Sequence, residues 1–102
     1  MRIAFHAAGA SCEIALIGEL DHHAARTAMA EIRARLDQSL PASIDLDMRQ
    51  VTFMDSSGIA LILALYKHVK ALDGELRLFS VSPPVRKTLA AAGMDKLLDL
   101  SA

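Results

Sequence analysis

The most informative stretch of the sequence is Asp55-Ser56-Ser57-Gly58, where the apolar run Val51-Thr52-Phe53-Met54 gives way abruptly to small polar residues. The segment that follows, Ile59 to Leu72, is too long for a strand and closes at Asp73-Gly74, so it reads as a helix. The serines therefore fall at or next to a helix N-cap. Asp and Ser have a purely structural use there, since they satisfy amides that the first helical turn leaves open, at about 1 kcal/mol each. Gly58 eases a tight turn. The same position also has a chemical use. Free backbone N–H groups and the helix dipole form an anion site, so a phosphate on one of these serines is tolerated without unfolding the domain. It would add about −1.5 to −2 charge to the surface. Asp55 opposes that charge, which makes the stretch a candidate charge switch. A serine nucleophile of hydrolase type is disfavoured: Met54 and Asp55 stand where a Gly-x-Ser-x-Gly elbow needs its first glycine, and no oxyanion loop is visible.

Asp21-His22-His23 is the second polar cluster. Adjacent histidines on a helix point about 100° apart, which suits them poorly to holding one metal ion together. His6 and His68 are isolated in sequence, and no metal or other cofactor is expected. One reading is a capped helix start with exposed histidines. The other is a polar contact surface shared with Ser57, because Asp21 and Ser57 each follow a strand and the carboxyl ends of parallel strands meet at one sheet edge.

The elements that place these clusters follow from the hydrophobic pattern. Ile3 to His6 alternates weakly and reads as an edge strand, Gly9-Ala10-Ser11 as a turn, and Glu13 to Ile17 as a second strand ending at Gly18-Glu19-Leu20. Asp21 is then a helix N-cap. Ala25, Ala28, Met29, Ile32 and Leu36 form one helical face, with Arg26, Glu31, Arg33 and Arg35 on the other, and Pro41 ends the segment after Leu40. Ile44 to Met48 alternates apolar and acidic residues as a strand does, and Leu76 to Val81 is another. Ser82-Pro83-Pro84 opens a last helix, with Val85, Leu89 and Ala92 as its stripe and Gly93 just past its end. Met94 to Leu100 adds a short turn or strand. In the helix after Ser57, Ile59, Ile62, Leu63 and Tyr66 read as core, with room for a minority to face a partner. The order β-β-α-β-α-β-α implies an α/β domain with a mainly parallel, four- to five-stranded sheet and crossover helices; the initial β-β step allows one antiparallel edge.

Composition narrows the function further. The 102 residues carry a net charge of −1, with 53 % hydrophobic and 4 % aromatic residues. One domain of this size buries roughly 60–70 % of its unfolded surface. Near-neutral charge removes the broad attraction that nucleic-acid binders show, so no direct contact with nucleic acid is expected. The longest apolar run, Ile59 to Tyr66, is far short of a membrane span. The start of the chain does not read as a signal peptide. The lone cysteine, Cys12, excludes an intrachain disulfide and fits a cytoplasmic location.

Three motifs together resemble the sulfate-transporter and anti-sigma-factor-antagonist (STAS) domain family. They are Gly18-Glu19-Leu20-Asp21-His22-His23, then Phe53-Met54-Asp55-Ser56-Ser57-Gly58, then Tyr66-Lys67, with Ser82-Pro83 also in keeping. The resemblance covers nearly the whole chain, read as a single domain over 1–102, and is strongest to the anti-sigma F factor antagonists of sporulating bacteria. It implies a regulator rather than an enzyme. The unphosphorylated form binds an anti-sigma factor that is also a serine kinase, in its ATP- or ADP-bound state, and so frees a sporulation sigma factor. Phosphorylation of the second serine, which falls on Ser57, inactivates it, and a PP2C-type serine phosphatase reverses the step. The implied partner surface comprises Asp21, His22, His23, Asp55, Ser56, Gly58 and Ile59. A general-stress antagonist, or a STAS scaffold or ligand-binding module without a switch, is the alternative. Two departures stand out: the loop Pro41-Ala42-Ser43, and an end at Ala102 that lacks the family's further helix, which leaves apolar surface around Leu97, Leu98 and Leu100 exposed unless Met94 to Leu100 replaces it.

Overall fold

The computed structural model describes residues 1–39 and 41–100. The step through Leu40 and the last two residues, Ser101 and Ala102, lie outside them, and with them the expected helix stop at Leu40 and the reading of the chain's end. The described elements are β1 (Arg2–Ala8), β2 (Ser11–Leu20), α1 (His22–Ser39), β3 (Ser43–Met54), α2 (Ser56–Ala71), β4 (Leu76–Phe79), α3 (Pro83–Ala91) and a 3-10 turn at Met94–Lys96. The expected order holds. The sheet has four strands among the described residues, in the order β1-β2-β3-β4, with β1 antiparallel to β2 and the other two pairings parallel.

Hairpin β1–β2 closes over Gly9 and Ala10, with Ala8 opposite Ser11. Gly9 has φ 63°, the positive angle that a type II′ turn needs at its first loop residue. From there each parallel connection carries a helix across the sheet, and α1 and α2 pack against each other. Right-handed crossovers taken in one direction put both helices on the same face. Burial agrees: Cys12, Ile14, Leu16, Ile44, Leu46, Met48, Leu76 and Leu78 turn to the helices and are buried. Their neighbours Glu13, Asp45, Asp47, Arg77 and Phe79 turn to the open face, where Arg77 clasps Asp45 with two hydrogen bonds of 2.9 and 3.1 Å. The domain is thus two layers, with a core between one sheet face and the inner faces of the helices.

On α1 the expected stripe is buried at Ala25, Ala28, Ile32 and Leu36 and half-buried at Met29. Ile62 of α2 is wholly buried, whereas Ile59, Leu63 and Tyr66 are half-buried against the core's edge.

Four expectations need correction. Ile44–Met48 and Val51–Met54 form one strand, β3, rather than a strand and a separate apolar run. Its pairing with β2 slips at two places, Ala15/Ile17 and Gly18/Glu19, and each slip places an extra residue on β3. The bulges shift the inward positions from every second residue (Ile44, Leu46, Met48) to every third (Val51, Met54). Strand β4 stops at Phe79, because Ser80 has φ 58° and leaves the extended region. Ser82 stands at the N-cap of α3 without a side-chain capping bond, and Ala92 is exposed at the C-cap rather than part of the apolar stripe. Of the two outcomes expected for the last apolar residues, the second is the one found: Leu98 and Leu100 are buried along with Met94, because the 3-10 turn folds back beside α3, and only Leu97 of that group is exposed.

Candidate functional site

Two helix starts meet at one end of the sheet. Leu20, the last residue of β2, pairs with Met54, the last of β3, so the chain leaves both strands at the same level. A hydrogen bond of 3.4 Å from Asp55 N–H to the Leu20 carbonyl joins the two junctions. Each next residue is an aspartate that caps its helix. Asp21 Oδ1 accepts from Ala24 N–H at 2.9 Å, and Asp55 Oδ1 accepts from Ser57 N–H at 2.9 Å. Asp55 has the extended backbone of an N-cap, with φ −108° and ψ −168°. The cap of α2 is therefore Asp55, and Ser56, Ser57 and Gly58 are its first three helical residues.

The structure brings together the two clusters that the sequence holds 35 positions apart. His22, the first residue of α1, lies with Nδ1 3.0 Å from Ser57 Oγ. Ser57 is half-buried, and Ser56, His22 and His23 are exposed. Asp21 and Ile59 are half-buried, and one Asp21 carboxylate oxygen is committed to its cap. Gly58 is placed differently from the rest. It is buried, and a Cβ there would meet Met54 Cγ at 2.6 Å and Leu20 Cγ and Cδ2 at 3.0 Å. Its absent side chain lets α2 sit down on the strand ends, so it shapes the surface from beneath rather than forming it. Phe53, 48 % exposed and next to the cap, is a surface feature the sequence pattern concealed within an apolar run. Only the bulged register of β3 turns it outward.

The expected open anion site is closed. The amides of Ser57, Gly58 and Ile59 all bond to Asp55, the first to its carboxylate and the other two to its carbonyl at 3.1 and 3.3 Å. This has two chemical consequences. These amides cannot serve as an oxyanion hole, so the Ser57–His22 pair lacks what acyl transfer needs. A phosphate on Ser57 would be confronted by the Asp55 carboxylate rather than welcomed by free amides, which strengthens the charge conflict at this surface. Two concavities lie elsewhere, one on the open sheet face beside Phe79 and one between α1 and α2 beside His68. No group of three or more potential metal ligands occurs among the described residues, and no described helix is long and apolar enough to cross a membrane.

Comparison with known proteins bears on this arrangement. Residues 4–102 match the STAS domain family. An anti-sigma F factor antagonist of Lysinibacillus sphaericus is 37 % identical over 81 residues, which is 79 % of this chain and 69 % of that protein. The structure of the anti-sigma factor antagonist SpoIIAA in its unphosphorylated form superposes with a TM-score of 0.83 at 31 % identity, covering 95 % of this chain and 85 % of that one. SpoIIAA of Bacillus in its phosphorylated form gives 0.75 at 30 % identity, covering 95 % and 88 %. The chain therefore belongs to the STAS domain family, on a fold shared with SpoIIAA.

Proposed function

We propose that this chain is an anti-sigma factor antagonist of the anti-sigma F type, working in the cytoplasm as a switchable binding module and not as an enzyme. In its unphosphorylated form it binds an anti-sigma factor serine kinase carrying ATP or ADP and so releases a sporulation sigma factor. The kinase transfers the γ-phosphoryl group of ATP to Ser57, releasing ADP, and a PP2C-type phosphatase removes it with water.

The observation that carries this reading is the presentation of Ser57. Its hydroxyl stands where two capped helices meet, beside His22, with the candidate contacts Asp21, His23, Asp55, Ser56 and Ile59 at the starts of the same two helices. Relatives at 31 and 37 % identity are named as antagonists, and SpoIIAA is also known in a phosphorylated form, at 30 % identity, which supports the same assignment. Exposed Phe53 extends the surface with an apolar contact. Ser57 lies in the regular first turn of α2, and the switch in this reading acts by charge. A phosphate adds about −1.5 to −2 to a surface already holding two aspartates. A loss of about 3 kcal/mol in binding lowers affinity roughly 150-fold.

The test is to incubate the protein with the anti-sigma factor kinase of its own organism and Mg-ATP, then map the modification by mass spectrometry. Phosphate on Ser57 is expected, and Ser57→Ala should bind the kinase and stay unmodified. Phosphate elsewhere, with Ser57 free, would sink the assignment.

A further inference from the structure

We propose that His22 is a positioning residue for Ser57: its neutral Nδ1 accepts the Ser57 Oγ–H and holds that hydroxyl in one orientation, with its oxygen lone pairs free for an incoming phosphoryl group. This rests on the reading of Ser57 as the residue modified.

The geometry points to it in three ways. First, the 3.0 Å contact joins two separate elements, so it is not an accident of one turn. Second, Ser57 stands in the first turn of α2, where the carbonyl four residues earlier belongs to β3 and gives its hydroxyl no helical acceptor. Thr27 and Thr88 each turn back to bond the carbonyl four residues earlier, His23 at 3.3 Å and Pro84 at 3.2 Å. That is the ordinary fate of a helical hydroxyl, and it turns the oxygen toward the helix's own backbone. Ser57 instead reaches across to α1. Third, both ends of the contact are anchored. The Asp21 cap sets the first turn of α1, the Asp55 cap fixes the Ser57 amide, and the Asp55–Leu20 hydrogen bond ties the two starts together. With the amide committed, Ser57 keeps its side-chain torsion and the rotation of its hydroxyl hydrogen, and an unrestrained serine divides the torsion among three rotamers.

The atom roles follow from what a phosphoryl acceptor needs. If His22 donated to Oγ, it would take up one of the oxygen's two lone pairs and make the other less nucleophilic. With Oγ as donor, the hydroxyl is oriented and its lone pairs stay open.

The experiment uses His22→Ala and His22→Asn. Asparagine carries an acceptor oxygen the same number of bonds from the backbone as His Nδ1. Both variants should fold, since position 22 is exposed at the first helical residue. With the kinase of the organism and saturating Mg-ATP, His22→Ala should lower kcat for phosphate incorporation by about 3- to 10-fold, the worth of one hydrogen bond. His22→Asn should restore it. A contact role alone would raise KM and leave kcat unchanged, which overturns the proposal. A second reading needs no kinase. Three-bond couplings to the Ser57 Cβ protons should report one rotamer in the wild-type protein and in His22→Asn, and averaging in His22→Ala. Couplings that do not respond to His22→Ala overturn the positioning role. If the wild-type protein takes no phosphate on Ser57 while the couplings respond as expected, the functional reading of Ser57 fails and the contact stands.

Discussion

Replacing Gly58 with alanine is expected to destabilise the domain, although the same change inside a helix ordinarily stabilises it. The favourable part is helix propensity, at most about 1 kcal/mol so close to a helix start. Against it stands a new methyl group 2.6 Å from Met54 Cγ and 3.0 Å from two Leu20 carbons. Neither neighbour has room to yield, because Leu20 is fully buried and Met54 is 5 % exposed. The closest atom, Met54 Cγ, is a mid-chain carbon rather than a free end, so relief requires α2 to lift off the strand ends. Overpacking of this kind costs about 1–3 kcal/mol. The expected net loss is about 1–2 kcal/mol, which for a domain of this size lowers Tm by roughly 5–10 °C. Urea unfolding followed by circular dichroism measures the loss, and a second variant identifies its source. Met54→Ala alone should cost about 2–5 kcal/mol, and adding it to Gly58→Ala should cost at least about 1 kcal/mol less, because the new methyl occupies part of the vacated space. A Gly58→Ala protein as stable as the wild type, or strictly additive variants, would refute the close-approach argument.

Three further outcomes are expected. Asp55→Ala should lower stability by about 1 kcal/mol in urea titration through loss of its bond to the Ser57 amide, and Asp55→Asn should recover most of it. Burial pushes the Cys12 thiol above its ordinary range, with the nearby Arg35 opposing only in part, so less thiolate is present at neutral pH. Its labelling by a disulfide reagent at pH 8 should accordingly be at least about tenfold slower in the folded protein than in urea, and equal rates would contradict it. Ser57→Asp should weaken binding to the kinase by calorimetry while leaving the unfolding midpoint near that of the wild type; unchanged affinity would count against a switch that acts by charge.

Much of the fold is legible in the sequence because its helices and strands carry different periods and are separated by strong punctuation. The Asp21 cap is legible for the same reason, since it stands where an apolar strand ends and a helical stripe begins, whereas in Asp55-Ser56-Ser57 three good capping residues in a row leave the capping one to be settled by the structure, as Asp55. Strand β3 is not legible as one element. Its two bulges change the spacing of inward residues partway along, and a pattern with no single period reads as two segments. The same bulges turn Phe53 outward, which no count of neighbours in sequence reveals. The His22–Ser57 contact lies further still from local reading. It depends on Leu20 and Met54 ending their strands side by side, a matter of register between strands. Gly58 shows the converse: its presence is obvious in sequence, but its reason is two buried side chains that only the fold places beneath it.

The four strands lie side by side in the order in which they occur along the chain. A polypeptide is made from its N-terminus, so each strand finds its partner already synthesised and adjacent, with at most one helix between them. Wiring of this kind keeps contacting residues near in sequence, and mixed domains with that property fold faster than sheets that bring distant strands together. The junctions bearing His22 and Ser57 draw on β2, α1, β3 and the start of α2, all of which precede β4 and α3. The surface we assign to regulation is thus built from the first-made portion of the domain, and its pairing partners need not wait for the last third of the chain to be translated.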